Sequence, residues 1–574
     1  MAGAGSRVRR YVLLLLLLAG FGLVLFRLVT LQVLQAETLS AKADRQHQKT
    51  ISLEGPRGTI VDRHGKVLAM NMEVPSVFGE PTKLLSPAKT ARQLSSVLPV
   101  KFAELERKLQ QDRNFVWLAR KLDPEQGRQL DRLSLDGIGV VMEGRRFYPK
   151  GPLLSHVLGF AGMDGDGLEG IEHRYEPYLR GEKRMMVLQR DALGRTVFPK
   201  SLAERSPVSG HQLTLTIDEV VQYIAERGLE EAVARSRAKS GTIIVLEPET
   251  GAVLAMAVSP RFDPNALSAL NRRDRLQNTA ITDAYEPGST MKAMLAAAAI
   301  EEGAMKPTTM VFGEHGRMAI ANTVIHDHEK LGWVSFAQVI QKSSNIGAAK
   351  AGMVLGEQRL YRYLQAFGFG QRTEIDLPGE GVGLVNGPNT WGRRSVASIS
   401  MGQEIGVTPI QMVSAIAALA NGGVLMKPYV VSEIRDAEGH LLKQVAPQVK
   451  RRVISPETAR SVTNILEGVV THGTGANAAI PGFRVAGKTG TAQQIDRNTH
   501  RYSHSRFVTS FVGYVPADRP RLAMIVIIDA PQDKKASGGS VAAPVFSSVG
   551  EQVLNYLGVS SDKPVTLAMA VPNS

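Results

Sequence analysis

The sequence predicts an α+β fold on a single N-terminal transmembrane helix, divided into an elongated non-catalytic module and a larger domain of helices packed on an antiparallel sheet. Three observations predict it. A long apolar run opens the chain. A turn-rich patch, Ser206-Pro207-Val208-Ser209-Gly210, marks a boundary. Beyond it, strand-like and apolar helix-like stretches mix without regular βαβ alternation. At 574 residues the chain is far longer than one average domain, which agrees with at least two.

The apolar run comes first. Arg7, Arg9 and Arg10 precede an uncharged stretch from Tyr11 to Phe26; Arg27 interrupts it and Leu28 to Leu34 continue it. Residues 11–34 are long enough to cross a bilayer. The arginines of the 1–10 tail favour a cytoplasmic N terminus, with the remainder exported. A cleaved leader would have a shorter apolar region and a small-x-small cleavage site. Leu34-Gln35-Ala36 has leucine where a small residue is wanted, so an uncleaved anchor is expected. Arg27 either snorkels or meets a partner helix within the membrane.

Composition narrows the partners. The chain has no cysteine, which excludes disulfides, thiolate nucleophiles and zinc-thiolate sites. A net charge of +14 suits nucleic acid, anionic lipid or an anionic polymer such as a cell wall. Aromatics make up 6% and no Lys/Arg run is interleaved with them, so nucleic acid is not expected.

Residues 35–210 form the non-catalytic module. A polar, helix-compatible stalk over about 36–50 leads to Pro56-Arg57-Gly58 and a strand, an Asp62-Arg63-His64-Gly65 turn and a second strand. Leu84 to Leu133 reads as amphipathic helices. Arg145-Arg146-Phe147-Tyr148-Pro149 and Gly167 to Glu172 read as turns and surface ion pairs of a scaffold. In the second domain, 211–558, a strand from Gln212 to Ile217 precedes a helix from Asp218 to Ala234. Gly241 to Met256 is strand, turn, strand. Leu360, Tyr363, Leu364 and Phe367 form a core stripe at helical spacing. Residues 559–574 are expected to be a flexible tail.

Three stretches carry chemistry. In Glu286-Pro287-Gly288-Ser289-Thr290-Met291-Lys292, the Pro-Gly pair breaks the chain just before an Ala-, Leu- and Met-rich helix. Ser289 and Lys292, i and i+3, would share a face, bringing hydroxyl and amine within hydrogen-bond reach. An adjacent base turns a serine into a competent nucleophile. The spacing alone is common, recurring at Ser86/Lys89, Ser236/Lys239 and Ser560/Lys563, and a serine there is often just a helix cap. Next, Ser335 with Gln338 reads as a capping box on a helix through Lys342. It is followed by Ser343-Ser344-Asn345 between two helices, a proton relay and an amide. Third, Lys488-Thr489-Gly490-Thr491 lies on a strand whose glycines leave its surface bare. Two hydroxyls beside a cation suit a carboxylate ligand. His326-Asp327-His328-Glu329 has metal-ligand chemistry but reads as a solvated loop, and no metal is expected.

In this order the three stretches are the serine acyl-transfer set of penicillin-binding proteins and β-lactamases. The likeness extends to Pro56-Arg57-Gly58 with Asp62-Arg63 and Gly65, to Gly167–Glu172, and to Met401-Gly402-Gln403 with Thr408-Pro409. The chain resembles the class B penicillin-binding proteins, in its Glu-Pro-Gly-Ser-Thr wording the division-specific FtsI type. Ala293 replaces the usual proline after Lys292. Ser344 replaces the aspartate of the Ser-Asp-Asn form.

The resemblance implies a pedestal of the dimerisation-domain type over 35–210 and a serine β-lactamase-like transpeptidase domain. It implies a D,D-transpeptidase that cross-links peptidoglycan stem peptides through a serine acyl-enzyme, in septal wall synthesis, and that is acylated by β-lactams at Ser289. Lys292 would take the serine proton and Ser343 would relay one to the departing D-Ala. Asn345 would hold the donor amide, Lys488, Thr489 and Thr491 would cradle the terminal carboxylate, and Gly490 would leave room for it. No cofactor is needed. The implied partners are a SEDS glycosyltransferase of the FtsW kind and other divisome proteins. The implied location is the inner membrane at the septum, with the catalytic domain in the periplasm. Alternatives are an elongation-type enzyme and a scaffold that mainly activates a polymerase.

Overall fold

The computed structural model describes residues 4–39, 48–190, 196–197, 208–266, 276–321, 323–495, 502–533 and 535–563. Most of the expected tail, 564–574, lies outside them. Two compact units are distinguished: residues 1–56 with 181–209, and residues 57–180 with 210–574.

In the first unit the helix Ala4–Val29 runs into a π-helical turn, Thr30–Leu34. Val8–Leu34 is long and apolar enough to cross a membrane, with a mean hydropathy of 2.7. Its apolar side chains are exposed on every side, a surface suited to hydrocarbon rather than water. The stalk expected over 36–50 falls partly outside the described residues, and its end is extended. Gln48–Glu54 pairs antiparallel with Lys183–Arg190, and Thr196–Val197 adds a third strand.

The second unit opens with the expected hairpin, Ile60–Val61 and Val67–Gly79. Gly65 at its turn has φ +82°, and Asp62 Oδ1 accepts from the backbone N–H of His64 and Lys66, both at 2.8 Å. The second strand pairs with Val116–Ala119 and Ile138–Phe147. The helices Pro87–Leu94, Phe102–Leu109 and Pro124–Leu133 enclose a small core of Leu94, Leu105, Leu109, Leu118 and Leu130. The strand Val116–Ala119 interrupts the helices expected over 84–133; Val116 and Trp117 favour an extended chain that packs on the neighbouring strand. Ile60–Val61 also pairs in parallel with Gln212–Leu215, which pairs with Val431–Arg435. Strands from residues 57–180 and from beyond residue 210 therefore share one sheet.

The arginine and glutamate motifs are not surface ion pairs. Glu172 is fully buried between two arginines. Its Oε2 accepts from Arg57 Nε at 2.6 Å and its Oε1 from Arg146 Nε at 2.6 Å, while Tyr148 Oη donates to Oε1 at 3.3 Å. Arg57 also binds Glu172 O and Gly165 O and pairs with Glu176 at 2.6 Å; Arg146 binds Gly58 O, and its Nη2 is buried without a partner. Burial is tolerated because nearly every lone pair and N–H has a partner.

The rest of this unit is built on an antiparallel sheet of β1 (Ser240–Leu246), β2 (Val253–Ser259), β3 (Ala486–Ile495), β4 (Tyr502–Val515) and β5 (Leu522–Asp529), in the order β2-β1-β5-β4-β3. Both faces are covered, which is why β1 and β5 read as continuous apolar runs. Ile243 and Val245 pack with the helices Glu219–Ser236 and Ala543–Tyr556. Ile244 and Leu246 face the opposite core. That core contains α1 (Lys292–Glu301), α3 (Pro409–Ala420) and α4 (Pro456–His472); α2 (Asn345–Leu355) packs beside α1. The architecture is α+β, and β3 stands at the edge of the sheet.

Candidate active site

The turn that presents Ser289 is held from outside its own sequence. Tyr285 exchanges backbone hydrogen bonds with Val407, and Gly288 N donates to Gly402 O at 3.0 Å. Thr290 Oγ1 donates to Pro287 O at 2.8 Å. Gly288–Met291 form a 3-10 turn that passes directly into α1. Gly288, Thr290, Met291 and Lys292 are buried, whereas Ser289 is partly exposed. Gly402 has φ +82°, and a Cβ there would stand 2.0 Å from Gly288 O. We expect Gly402→Ala to displace this turn and slow acylation by a penam about a hundredfold, the order of loss that a 1 Å misplacement of reacting groups causes; stopped-flow acylation measures it.

Two buried lysines converge on Ser343. Lys292 Nζ donates to Ser343 O and to Asn345 Oδ1, both at 2.7 Å, with Ser343 Oγ at 3.4 Å. Lys488 Nζ lies 3.0 Å from the same Ser343 Oγ and also reaches Thr489. Both lysines are fully buried. Burial lowers the Lys292 amine to about 7, against the opposing pull of the Asp327 carboxylate. Burial, and then the charge of Lys292, push Lys488 well below the ordinary lysine range. A neutral amine has two N–H groups and one lone pair. Ser343 O and Asn345 Oδ1 occupy the two hydrogens of Lys292, which leaves the lone pair free to accept a proton.

The hydrogen bond expected between Ser289 and Lys292 is not formed: Ser289 Oγ is not among the hydrogen-bond partners of Lys292 among the described residues. Spacing puts the two side chains on one face, but stronger acceptors from the Ser343 loop hold the amine. Ser343 itself is in the left-handed region, φ 59°, a strained setting that aims its hydroxyl at both lysines. The Asn345 amide is engaged at both ends, since Nδ2 donates to His326 O at 2.9 Å; its second Nδ2 hydrogen is what remains for a substrate.

On β3, Lys488 is buried, Thr489 Oγ1 meets Thr474 Oγ1 at 2.7 Å, and Thr491 Oγ1 accepts from Gly538 N at 3.0 Å. A Cβ on Gly490 would press on Ser510 Oγ at 2.4 Å and Pro287 O at 2.9 Å, so only glycine lets the strand lie against the serine turn. All eight residues singled out from the sequence belong to the serine turn, the Ser343 loop or β3, and contacts among these three elements join them.

His326, His328 and Glu329 are exposed, as expected of a solvated stretch, but the half-buried Asp327 among them also reaches the N-terminus of α2. Its Oδ1 accepts from Asn345 N and Ile346 N, and its Oδ2 from Ser344 Oγ at 2.6 Å. A carboxylate from a distant strand end thus sits beside the middle position of Ser343-Ser344-Asn345, where the sequence has serine. Nothing local to residue 327 signals this. Among the described residues, one carboxylate and imidazole cluster has ligand spacing, Asp436, Glu438 and His440, and the hydrogen bonds of its own turn account for it.

Comparison with known proteins fits this geometry. Residues 241–551 match the family model of the penicillin-binding protein transpeptidase domain, and residues 52–215 match the penicillin-binding protein dimerisation domain. The chain belongs to the class B penicillin-binding proteins. This penicillin-binding protein is 35% identical to the stage V sporulation protein D of Bacillus subtilis, over 97% of this chain and 87% of that one. It is 30% identical to the peptidoglycan D,D-transpeptidase FtsI of Escherichia coli, over 96% of this chain and 92% of that one. A crystal structure of penicillin-binding protein 3 from Mycobacterium tuberculosis complexed with aztreonam superposes with a TM-score of 0.69 at 27% identity, covering 90% of this chain and 99% of that one.

Proposed function

We propose that this penicillin-binding protein is a peptidoglycan D,D-transpeptidase that cross-links stem peptides through an acyl-enzyme on Ser289. The observation that carries this reading is the pair of buried lysines, one of them three residues after Ser289 with its amine lowered to about 7, and both joined to Ser343. Lys292 takes the Ser289 proton as Oγ attacks the carbonyl of the D-Ala-D-Ala bond. The N–H groups of Ser289 and Thr491 hold the oxyanion. The C–N bond breaks, and Ser343, backed by Lys488, passes a proton to the departing D-Ala nitrogen. Thr489, Thr491 and Lys488 hold the terminal carboxylate, Gly490 keeps the approach open, and Asn345 steadies Lys292 and the donor amide. The amine of a second stem peptide then attacks the ester and restores Ser289. A β-lactam enters the first half of this sequence and remains as the acyl group; the aztreonam complex of the M. tuberculosis relative supports that reading.

The pH dependence follows from Lys292. Its proton-accepting form grows as pH rises through about 7. We therefore expect the second-order rate of penam acylation to rise about tenfold per pH unit below 7 and to level off above it, as for any single required base. A rate flat from pH 5 to 9, read with a fluorescent penam, would remove Lys292 from the role of base.

The decisive experiment supplies uncross-linked peptidoglycan strands to the full chain in detergent and reads the products by mass spectrometry. One D-Ala is released per cross-linked dimer. If neither D-Ala release nor a penam adduct is found, the reading fails. Rapid turnover of the penam adduct would mark a β-lactamase instead. The division of labour we propose places the non-catalytic module at 35–210 and catalysis at 211–558. The apolar segment 8–34, with arginines before it, supports a single inner-membrane pass and a periplasmic catalytic domain. The likeness to FtsI supports a septal role beside an FtsW-like SEDS glycosyltransferase and other divisome proteins. A tagged copy tests this: accumulation at midcell fits, and an even lateral distribution points to elongation.

A further inference from the structure

A cavity of about 1300 Å³ lies along the far end of β3. Its lining includes Tyr285 and Glu286, which lead into the serine turn, together with Ala492, Gln493 and Gln494 of β3 and Tyr502 of β4. Glu286 is held by one oxygen only. Oε1 accepts from Glu404 N and from Tyr502 Oη, both at 3.0 Å. Oε2 is buried without a hydrogen-bond partner, and so is the Tyr285 hydroxyl in the same wall. Buried polar atoms without partners are costly and call for an explanation. Of the other carboxylates in the lining, Glu404 pairs with Arg394 at 3.2 Å and accepts from Ser395, Asp529 pairs with Lys239 at 3.7 Å, and the exposed Asp283 accepts from Thr282 Oγ1 at 2.8 Å. Glu286 has no cation within ion-pair distance among the described residues. Burial raises its carboxyl above the ordinary range, and the Glu404 charge adds to the effect.

The position of the cavity says what would fill it. β3 is an edge strand, and its open side can take an extended peptide as an added strand. With the donor's terminal carboxylate at Lys488, Thr489 and Thr491 and its scissile carbonyl at Ser289, the preceding residues run past Ala492 to Gln494 at about 3.3 Å per residue. Donor and acceptor are copies of one polymer. Every donor stem therefore carries the same side-chain amine that an acceptor uses for attack.

We infer that Glu286 binds the side-chain ammonium of the diamino acid that precedes D-Ala-D-Ala in the donor stem, by turning its unpartnered Oε2 into the cavity that the residue lines. The inference deepens the transpeptidase reading and rests on it. Pairing with the carboxylate also keeps the donor's own amine protonated, so it does not attack its neighbouring ester.

The test uses two thioester donors, Nα-acetyl-L-lysyl-D-alanyl thioglycolate with the side-chain amine free or acetylated, and the full chain in detergent. Thiol release gives kcat/KM for each. In the wild-type protein the free ammonium is favoured about ten- to a hundredfold, the size of one charge-assisted hydrogen bond. A succinylated third donor, with the charge reversed, falls lower still. In Glu286→Gln the ratio of free to acetylated donor drops towards one, and Glu286→Asp restores part of it. The wild-type ratio alone decides the matter if a variant does not fold. A wild-type ratio near one, or a ratio that survives in Glu286→Gln, overturns the ammonium site while acylation itself still supports the transpeptidase. If neither the thioesters nor a penam acylate the protein, the transpeptidase reading falls first and the inference with it.

Discussion

Replacing Ser289 with alanine abolishes covalent capture of a fluorescent penam and leaves the fold intact. The reasoning starts from the contacts of the side chain. Ser289 Oγ has no hydrogen-bond partner among the described residues, so its removal orphans no buried group. The turn is set instead by Gly288 N to Gly402 O and by Thr290 Oγ1 to Pro287 O. Thermal unfolding should therefore move by no more than the roughly 0.5 kcal/mol typical of a partly exposed substitution that breaks no contact. The chemistry loses its only acylated atom. Deleting the nucleophile of a serine enzyme costs on the order of 10⁶ in rate. Gel fluorescence after penam incubation reads the adduct, and labelling at the wild-type level would remove Ser289 from its role. Lys488, Thr489 and Thr491 stay in place in this variant, so non-covalent binding of the penam carboxylate is retained.

The largest expected loss of stability lies elsewhere, at Glu172. This carboxylate is fully buried and pairs with Arg57 and Arg146, both less than a tenth exposed, while Glu176 also pairs with Arg57. Glu172→Ala leaves the buried Arg146 without its counter-charge and Arg57 with Glu176 alone, a loss of about 3–5 kcal/mol for breaking a buried pair. Glu172→Gln keeps the shape and one acceptor and should lose less. Chemical denaturation followed by tryptophan fluorescence separates them, since Trp117 lies in the same part of the chain. Equal stability of Glu172→Ala and the wild type would mean that Arg57 and Arg146 find new partners at no cost.

Much of this architecture can be read from local pattern. The Pro287-Gly288 break, the Ala-rich α1, the capping box at Ser335 and the bare strand around Gly490 all follow from propensity and period, and the structure has each of them. What could not be read depends on partners far along the chain. The i, i+3 spacing places Ser289 and Lys292 on one side but says nothing of Ser343 O and Asn345 Oδ1, which claim the amine from about fifty residues away. Asp327 gives no local sign that it caps α2. Glu172 looks like a surface acid until Arg57, more than a hundred residues earlier, closes over it. Local sequence reports where a side chain starts. Burial and long-range pairing decide what it does.

The parallel contact between Ile60–Val61 and Gln212–Leu215 bears on how this molecule can be cut. The turn-forming residues around 206–210 invite truncation there, as if a self-sufficient cassette began at 211. Such a fragment would start on a strand stripped of its neighbour, with the buried Leu213 and Leu215 at its margin and an open row of backbone donors and acceptors. It would be prone to clump. A soluble piece that keeps residues 57–180 retains the missing seam.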